Sequence, residues 1–392
     1  MGNKNLQLEG LRGFASLSVV IGHFCFVTLP FLASPFYPSG AIATTQFERI
    51  AVLPPFSLAF SAEAAVCIFF VMSGYVLSTR FMREGNVGDL QRAAGKRYLR
   101  LAIPTGVSIL GAWLLVNFGV ILTKSAPEIG VAGWVNTWYT RNDNFVQVFW
   151  NAFVGGPLFA HTEYNPPIWT IHVELIGSIY LFAMLALFKR RPILFVLWSA
   201  FFANIIGFGA PNALFYLCFI FGALINLIDV KSNQLLANFL VLLGVIGVCY
   251  NLSPPFDFMR VVPLPDLRPF GPDFNLNSQL FWHSIGGVLL VCGVVNSNIA
   301  SFILSRRIPV FLGKISFSMY LLHMPILMSL GLAAIWWLKT VGFEHQTSAM
   351  MAFVIYLAAV IGLSVPFYRF VDLPATKISS AFRSFVPQRG II

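Results

Sequence analysis

Ten stretches of this chain are apolar enough, and close enough to membrane thickness, to be read as bilayer-spanning helices. A helix needs about 20 mostly apolar residues to cross the hydrocarbon core. The stretches are 11–32, 58–79, 99–122, 168–188, 192–209, 212–228, 235–251, 279–296, 316–338 and 349–370. Charged residues make up only 10% of the chain, against about 25% in soluble domains, which is too few to cover a water-facing surface. Hydrophobic residues make up 57%, which excludes intrinsic disorder. The expected fold is therefore all-α, a polytopic membrane protein of about ten transmembrane helices forming one integral-membrane domain over 1–392.

Several details refine that reading. The first span holds Arg12 and His23 and lacks a small-x-small cleavage site, so it is expected to be retained rather than removed as a signal peptide. The fifth and sixth spans are split only by Gly207-Phe208-Gly209-Ala210-Pro211-Asn212. A further apolar stretch at 145–160 is broken by Gly155-Gly156-Pro157 and is expected to be interfacial or re-entrant. Two segments between spans, 123–167 and 252–278, are long and rich in Pro, Asn, Asp and aromatics, and could be caps over a cavity or connectors. No internal repeat suggests the inverted architecture of a secondary transporter.

The net charge of +10 reads as loop charge of a polytopic protein, with no nucleic-acid partner, because no stretch is long and polar enough to be a basic domain. With the N-terminus in the cytoplasm, 19 of the 25 Lys and Arg fall on that side and 6 (Arg49, Lys124, Arg141, Arg260, Arg268, Lys339) on the other. Both termini are thus expected to be cytoplasmic, with an even number of spans. The expected location is a plasma membrane of the bacterial inner-membrane kind. Cys25, Cys67, Cys218, Cys249 and Cys292 are dispersed through apolar runs without metal-ligand spacing, so neither a disulfide framework nor a metal site is expected.

Ionisable residues at bilayer depth are costly and therefore functional candidates. Here they are His23, Glu63, His172, Glu174, His283 and His323, with Arg12 at the cytoplasmic mouth of the first span. Arg12 and His23 are 11 residues apart, which places them within about 20° on one helix face and roughly 16 Å apart along it. That face suits a ligand with a charged head and a long arm that reacts at its far end, as a coenzyme A thioester does. The plainer alternatives are that Arg12 snorkels to lipid phosphate or pairs with Glu9, and that His23 merely packs helices together. Arg97 and Arg100, three residues apart before the third span, lie at the same membrane surface as Arg12; three converging arginines could clamp phosphates. Taken alone, that basic run is also an ordinary positive-inside anchor.

Five segments, in order, resemble the acyltransferase-3 family of integral membrane O-acyltransferases. They are Leu8-Glu9-Gly10-Leu11-Arg12-Gly13-Phe14-Ala15 with His23 at the family's Arg-x₁₀-His spacing; Phe69-Phe70-Val71-Met72-Ser73-Gly74-Tyr75; Arg97 and Arg100; Trp169-Thr170-Ile171-His172-Val173-Glu174-Leu175; and Gly313 to His323, ending Tyr320-Leu321-Leu322-His323. The resemblance covers nearly the whole chain. It implies a ten-span bundle that moves an acyl group, usually acetyl, from cytoplasmic acyl-CoA to a hydroxyl, commonly of a sugar presented at the outer face. Acyl-CoA is then a co-substrate, with no bound cofactor, and the partners are a carbohydrate or glycoconjugate acceptor and membrane lipid. About 22 residues follow the last span, so the stand-alone form without a fused hydrolase-like domain is expected. The chain departs from the commoner pattern after Glu174, where Leu-Ile-Gly-Ser replaces a second acidic residue.

On this reading Arg12, Arg97 and Arg100 hold the CoA phosphates, and His23 is general base or transient acyl carrier. Glu174 or Glu63 orients the imidazole or serves as base for the acceptor. Trp169, Tyr320 and His323 position the acceptor. Ser73-Gly74 chiefly lets helices approach. His172 lies nearly opposite Glu174 on a helix, so only one faces the site, and Glu174 is preferred. His161 and His345 are expected to be solvated, His283 is a candidate for the acceptor end, and Cys25 points about 160° away from His23, too far to be a covalent carrier. The rival class is a transporter or translocase of a lipid-linked or small polar substrate, which would also use intramembrane His and Glu.

Overall fold

A computed structural model describes residues 5–33, 46–188, 191–206, 213–252, 256–260 and 278–381. Lys4, Lys189, Arg190, Arg268, Arg383 and Arg389, the Gly207–Asn212 break and most of the 252–278 segment lie outside the described residues. The described residues form helices and turns only.

Local chemistry sets the ends of the first three helices. The Asn5 side chain accepts from the Leu8 N–H at 3.3 Å and starts α1 (Leu6–Thr28), with Glu9 in its first turn where a carboxylate complements the helix dipole. Helix α2 (Ala62–Glu84) stops at Gly85, whose φ of 73° only glycine adopts freely. The next residue, Asn86, caps α3 (Val87–Asn117) by accepting from the Gly88 N–H at 2.9 Å. This turn makes the whole basic segment helical, so α3 begins well before the expected 99. Hydropathy marks where lipid ends, not where the helix does. Pro104 inside α3 leaves the Arg100 carbonyl without its helical donor.

The remaining helices are α4 (Trp169–Phe188), α5 (Pro192–Ile206), α6 (Ala213–Leu224), α7 (Gln234–Val248), α8 (Ser278–Asn296), α9 (Arg307–Ile326) and α10 (His345–Phe367). Helices α9 and α10 each contain a proline one or two residues before a widened π turn, Leu327–Gly331 and Tyr368–Asp372. Each then continues, to Thr340 and Ala381 respectively. Among the described residues, seven helices are long and apolar enough to cross a membrane: α1, α2, α3, α4, α8 and the extended α9 and α10. Three shorter apolar helices, Ile193–Ile206, Ala213–Leu227 and Gln234–Val248, fall within the expected fifth to seventh spans. A helix of 15 residues rises about 22 Å, less than a hydrocarbon core of about 30 Å.

Helix ends sort into two groups. At one end Gln7 donates to the Val294 carbonyl (3.2 Å), Asn226 donates to Ser78 Oγ (3.0 Å), and the Val230 N–H donates to Asn296 Oδ1 (3.2 Å). At the other end the Ala132 N–H donates to the Val27 carbonyl (2.8 Å), and Asn251 donates to the Val52 carbonyl (3.0 Å). His345, expected in solvent, is half-buried there, where its Nε2 donates to the Thr28 carbonyl at 2.8 Å. The outward faces of α5, α7 and α10 carry large apolar side chains, among them Leu197, Leu235 and Val354. Such faces are stable in lipid and costly in water.

The 145–160 stretch is not broken at Gly155-Gly156-Pro157. It is helical through Phe145–Phe159, with a π segment, and Pro157 in its last turn has no N–H to give the Phe153 carbonyl. It follows α3 inward: the Trp113 indole donates to the Asp143 carbonyl at 3.1 Å, and near the other end of α3 the Tyr98 hydroxyl donates to the Phe153 carbonyl. It then returns, and an Arg141–Glu163 ion pair of 2.7 Å closes its base.

Candidate active site

Helices α1, α2, α3, α4, α9 and the extension of α10 enclose a cavity of about 360 Å³ at the end where α1 begins. Helix α2 offers it Val66, Phe69, Phe70 and Ser73, an i, i+3, i+4, i+7 set on one face. Arg12, Arg97 and Arg100, named from sequence as converging cations, all line it. Lys314 joins them, having been read from sequence only as a loop charge.

Two of these arginines are already paired. Arg97 is ion-paired with Glu174 and donates from Nε to Ser178 Oγ at 2.8 Å. Ser73 Oγ donates to the same Glu174 oxygen at 2.6 Å. Both contacts fall on Oε1 of Glu174. Arg100 is ion-paired with Asp372 and stacks over the Phe317 ring, 5.5 Å from its centroid. Asp372 was not among the sequence candidates. The widened turn following Pro366 carries it and Tyr368 to the cavity wall. Among the described residues, Arg12 has no carboxylate partner.

His23 lies beyond the cavity wall, and the packing of α1 on α9 explains what it meets. The two helices run parallel in a fixed register. A Cβ on Gly13 would stand 2.6 Å from the Gly313 nitrogen, so these backbones touch. Ser16 donates to the Ser316 carbonyl at 2.9 Å. Seven residues further on each helix, which returns to nearly the same face, His23 and His323 have ring centroids 5.0 Å apart. The His23 Nδ1–H donates to the Val19 carbonyl at 3.0 Å, and the His323 Nδ1–H donates to the Tyr320 carbonyl at 2.6 Å. A carbonyl only accepts, so in each neutral ring Nε2 keeps the lone pair. His323 is fully buried and its Nε2 has no partner. Tyr320 joins this pair to the cavity: its ring centroid is 5.6 Å from that of His323, it lines the cavity, and its hydroxyl lies 2.6 Å from that of Thr170.

The other sequence candidates lie elsewhere. Trp169 packs on Phe215, with centroids 5.4 Å apart, while its neighbours Thr170 and Ile171 face the cavity. Glu63 belongs to a separate cluster at the opposite end of the bundle. There its carboxylate meets His283 Nδ1 at 2.8 Å and accepts from Gln279 at 3.3 Å, while His283 Nε2 donates to the Tyr250 carbonyl at 2.9 Å. Gly74 and Gly222 let α2 and α6 touch: a Cβ on either would clash with a carbonyl of the facing helix, at Phe219 and Val71. His172 does not line the cavity, and Glu174, preferred over it, does.

Similarity to known proteins supports a group-transfer site. The chain is 25% identical to Acyltransferase R4 of a Phoma species, with 94% of each chain aligned. It is 24% identical to Acyltransferase clz18 of Cochliobolus lunatus, over 96% of this chain and 95% of that one. It is 22% identical to O-acetyltransferase PaAT-1 of Phomopsis amygdali, over 95% of this chain and 83% of that one. No solved structure matches it significantly. The model of the family described as an acyltransferase domain matches residues 5–369, so the chain belongs to the acyltransferase-3 family and is an acyl-transferring enzyme.

Proposed function

We propose that the protein is a membrane-embedded O-acyltransferase that takes an acyl group, acetyl by preference, from cytoplasmic acyl-CoA and passes it to a hydroxyl of a carbohydrate or glycoconjugate. The observation that carries this reading is the cavity itself: Arg12, Arg97, Arg100 and Lys314 surround its mouth, and Tyr320 leads from its wall to two imidazoles. The sugar acceptor is supported by the family resemblance of the five segments. The 19-to-6 division of basic residues supports both termini in the cytoplasm and an even number of crossings, which the seven long and three short helices make ten. The three short helices then cross where the bilayer thins or the chain continues past the helix end.

In the mechanism that fits, the phosphates of the donor dock on Arg12, which no carboxylate occupies, and share Arg97 and Arg100 with their acidic partners. Guanidinium groups suit this task because they bind phosphate oxygens in pairs. The pantetheine arm runs along α1 past Tyr320. His23 is the general base: with its Nδ1–H held by Val19, Nε2 faces the reaction with a lone pair. It takes the proton of the acceptor hydroxyl as the oxygen attacks the thioester carbonyl. Glu174 works one step away, holding Arg97 in place.

Incubating the detergent-purified protein with radiolabelled acetyl-CoA and a mixture of glycan acceptors tests this reading. The expected result is CoA release together with label on an acceptor hydroxyl, both lost in His23→Ala. Acceptor labelling undiminished by His23→Ala would remove the base from the scheme. Flux of substrate across vesicles with no CoA release would return the protein to the transporter class.

A further inference from the structure

A base that takes up a proton inside a membrane protein needs something to share the new charge. In a serine-protease triad a carboxylate does so. Here, among the described residues, no carboxylate contacts His23: Glu174 holds Arg97 and Ser73 on its Oε1, and Glu63 is in the separate cluster with His283 and Gln279. The ionisable group packed against His23 is His323, at 5.0 Å between centroids. Its Nδ1–H is committed to the Tyr320 carbonyl, and its buried Nε2 is an acceptor with nothing to accept. A buried acceptor left unsatisfied is costly. Among the described residues no hydrogen bond joins the two rings; at 5.0 Å between centroids a small turn of the rings brings the two Nε2 atoms within hydrogen-bond reach once His23 carries a proton there.

We propose that His23 and His323 act as one imidazole pair, in which His323 shares the proton that His23 removes from the acceptor. This rests on the assignment of His23 as the base. The acceptor O–H bond breaks and its proton goes to His23 Nε2. The acceptor oxygen bonds to the acyl carbon, and the carbon–sulfur bond breaks, leaving CoA as thiolate with the electron pair. The His23 Nε2–H donates to His323 Nε2, so the positive charge is spread over two rings rather than held on one in a site without a carboxylate. The proton then passes to the thiolate sulfur, giving CoA thiol and the ester, and both rings return to their neutral tautomers. His323 acts through His23 and is a positioning and proton-sharing residue; its replacement changes how protons move more than how the donor binds.

The experiment compares wild type, His23→Ala, His323→Gln and His323→Ala by initial rates of CoA release. In His323→Gln, kcat is expected to fall by about 10²-fold, the low end for loss of acid–base assistance, with KM for acetyl-CoA held within about twofold. Added imidazole is expected to restore part of the rate of His323→Ala by occupying the vacated space. A wild-type kcat in His323→Gln, a loss confined to KM, or no rescue of His323→Ala by imidazole would overturn the pair. If wild type is active, His23→Ala is inactive and His323→Gln retains full rate, the pair fails while the base assignment stands. Absence of CoA release by the wild type with any acceptor removes the acyltransfer reading itself.

Discussion

Arg100 is ion-paired with Asp372, 272 residues further along the chain. Asp372 is nearly buried, at 4% side-chain exposure, whereas Arg100 is 31% exposed. On the proposed reading, in which Arg100 binds the donor's phosphates, a carboxylate sits on that cation and the two anions compete for it. Removing the charge while keeping the shape, in Asp372→Asn, is expected to lower KM for acyl-CoA by about three- to tenfold, since 1.4 kcal/mol is tenfold and a charge-assisted bond is worth about that. Its kcat should change little. Initial rates against donor concentration measure this directly, and a raised KM would mean that Asp372 orients Arg100 rather than competes for it.

The Arg97–Glu174 pair makes a different prediction, because both side chains are mostly buried, at 16% and 14% exposure. Arg97→Met leaves Glu174 as an unpaired carboxylate and is expected to cost on the order of 3–5 kcal/mol. Adding Glu174→Gln removes that charge and should recover most of the lost stability without recovering donor binding. Arg12→Gln, with no ion pair to break, should weaken donor binding and change stability by less than about 1 kcal/mol. Thermal melts in detergent and acyl-CoA binding on the same four proteins separate the two effects. Equal loss of stability in Arg12→Gln and Arg97→Met would contradict the assigned pairing.

Much of this site was readable in the sequence because its parts are local. The Arg12 to His23 and Arg97 to Arg100 intervals follow from helical periodicity, and the Gly313 to His323 segment is marked by its resemblance to the family. What joins them does not. The register that sets Ser16 on Ser316 and His23 beside His323 belongs to two helices at opposite ends of the chain, and no local pattern states that they pack in parallel. Asp372 escaped notice because it follows the last apolar run and reads as tail. Its burial depends on the widened turn beyond Pro366. The tryptophan segment was displaced by one position: Thr170 meets Tyr320, and Trp169, the more conspicuous residue, serves helix packing.

The Phe145–Phe159 segment, whose base the Arg141–Glu163 pair closes, should respond to acid through Glu163, which lies outside the spans. Burial alone would raise its carboxyl. Its own backbone N–H, the Asn151 amide at 3.2 Å, and the charges of His161 and Arg141 outweigh that and hold it below the ordinary carboxylate value. A lowered folded value means that Glu163 contributes stability above the unfolded pKa near 4.3, and that this contribution is lost as pH falls through the depressed value. Glu163→Gln should accordingly melt below wild type at pH 6–7 by a margin that shrinks towards zero as the pH is taken below about 4. A margin independent of pH would show that the carboxylate charge contributes nothing there.

The contact of Gly13 with Gly313 controls how close His23 comes to His323, and it gives the strictest prediction. A Cβ at Gly13 would stand 2.6 Å from the Gly313 nitrogen and 2.7 Å from the Pro309 carbonyl oxygen. Both are backbone atoms that cannot turn aside as a side chain would, so Gly13→Ala must push α1 and α9 apart. The overpacking should cost about 1–3 kcal/mol. The larger consequence is expected at the imidazoles, ten residues further along each helix, because a proton shared between rings is sensitive to small changes in separation. Activity in Gly13→Ala should fall by more than tenfold at a temperature where melts show the protein still folded. Gly362→Ala, on α10 where a Cβ meets nothing within 4 Å, serves as the control and should retain both stability and rate. If Gly13→Ala keeps the wild-type rate, the spacing of the two histidines is not what the small residues on α1 and α9 are there to set.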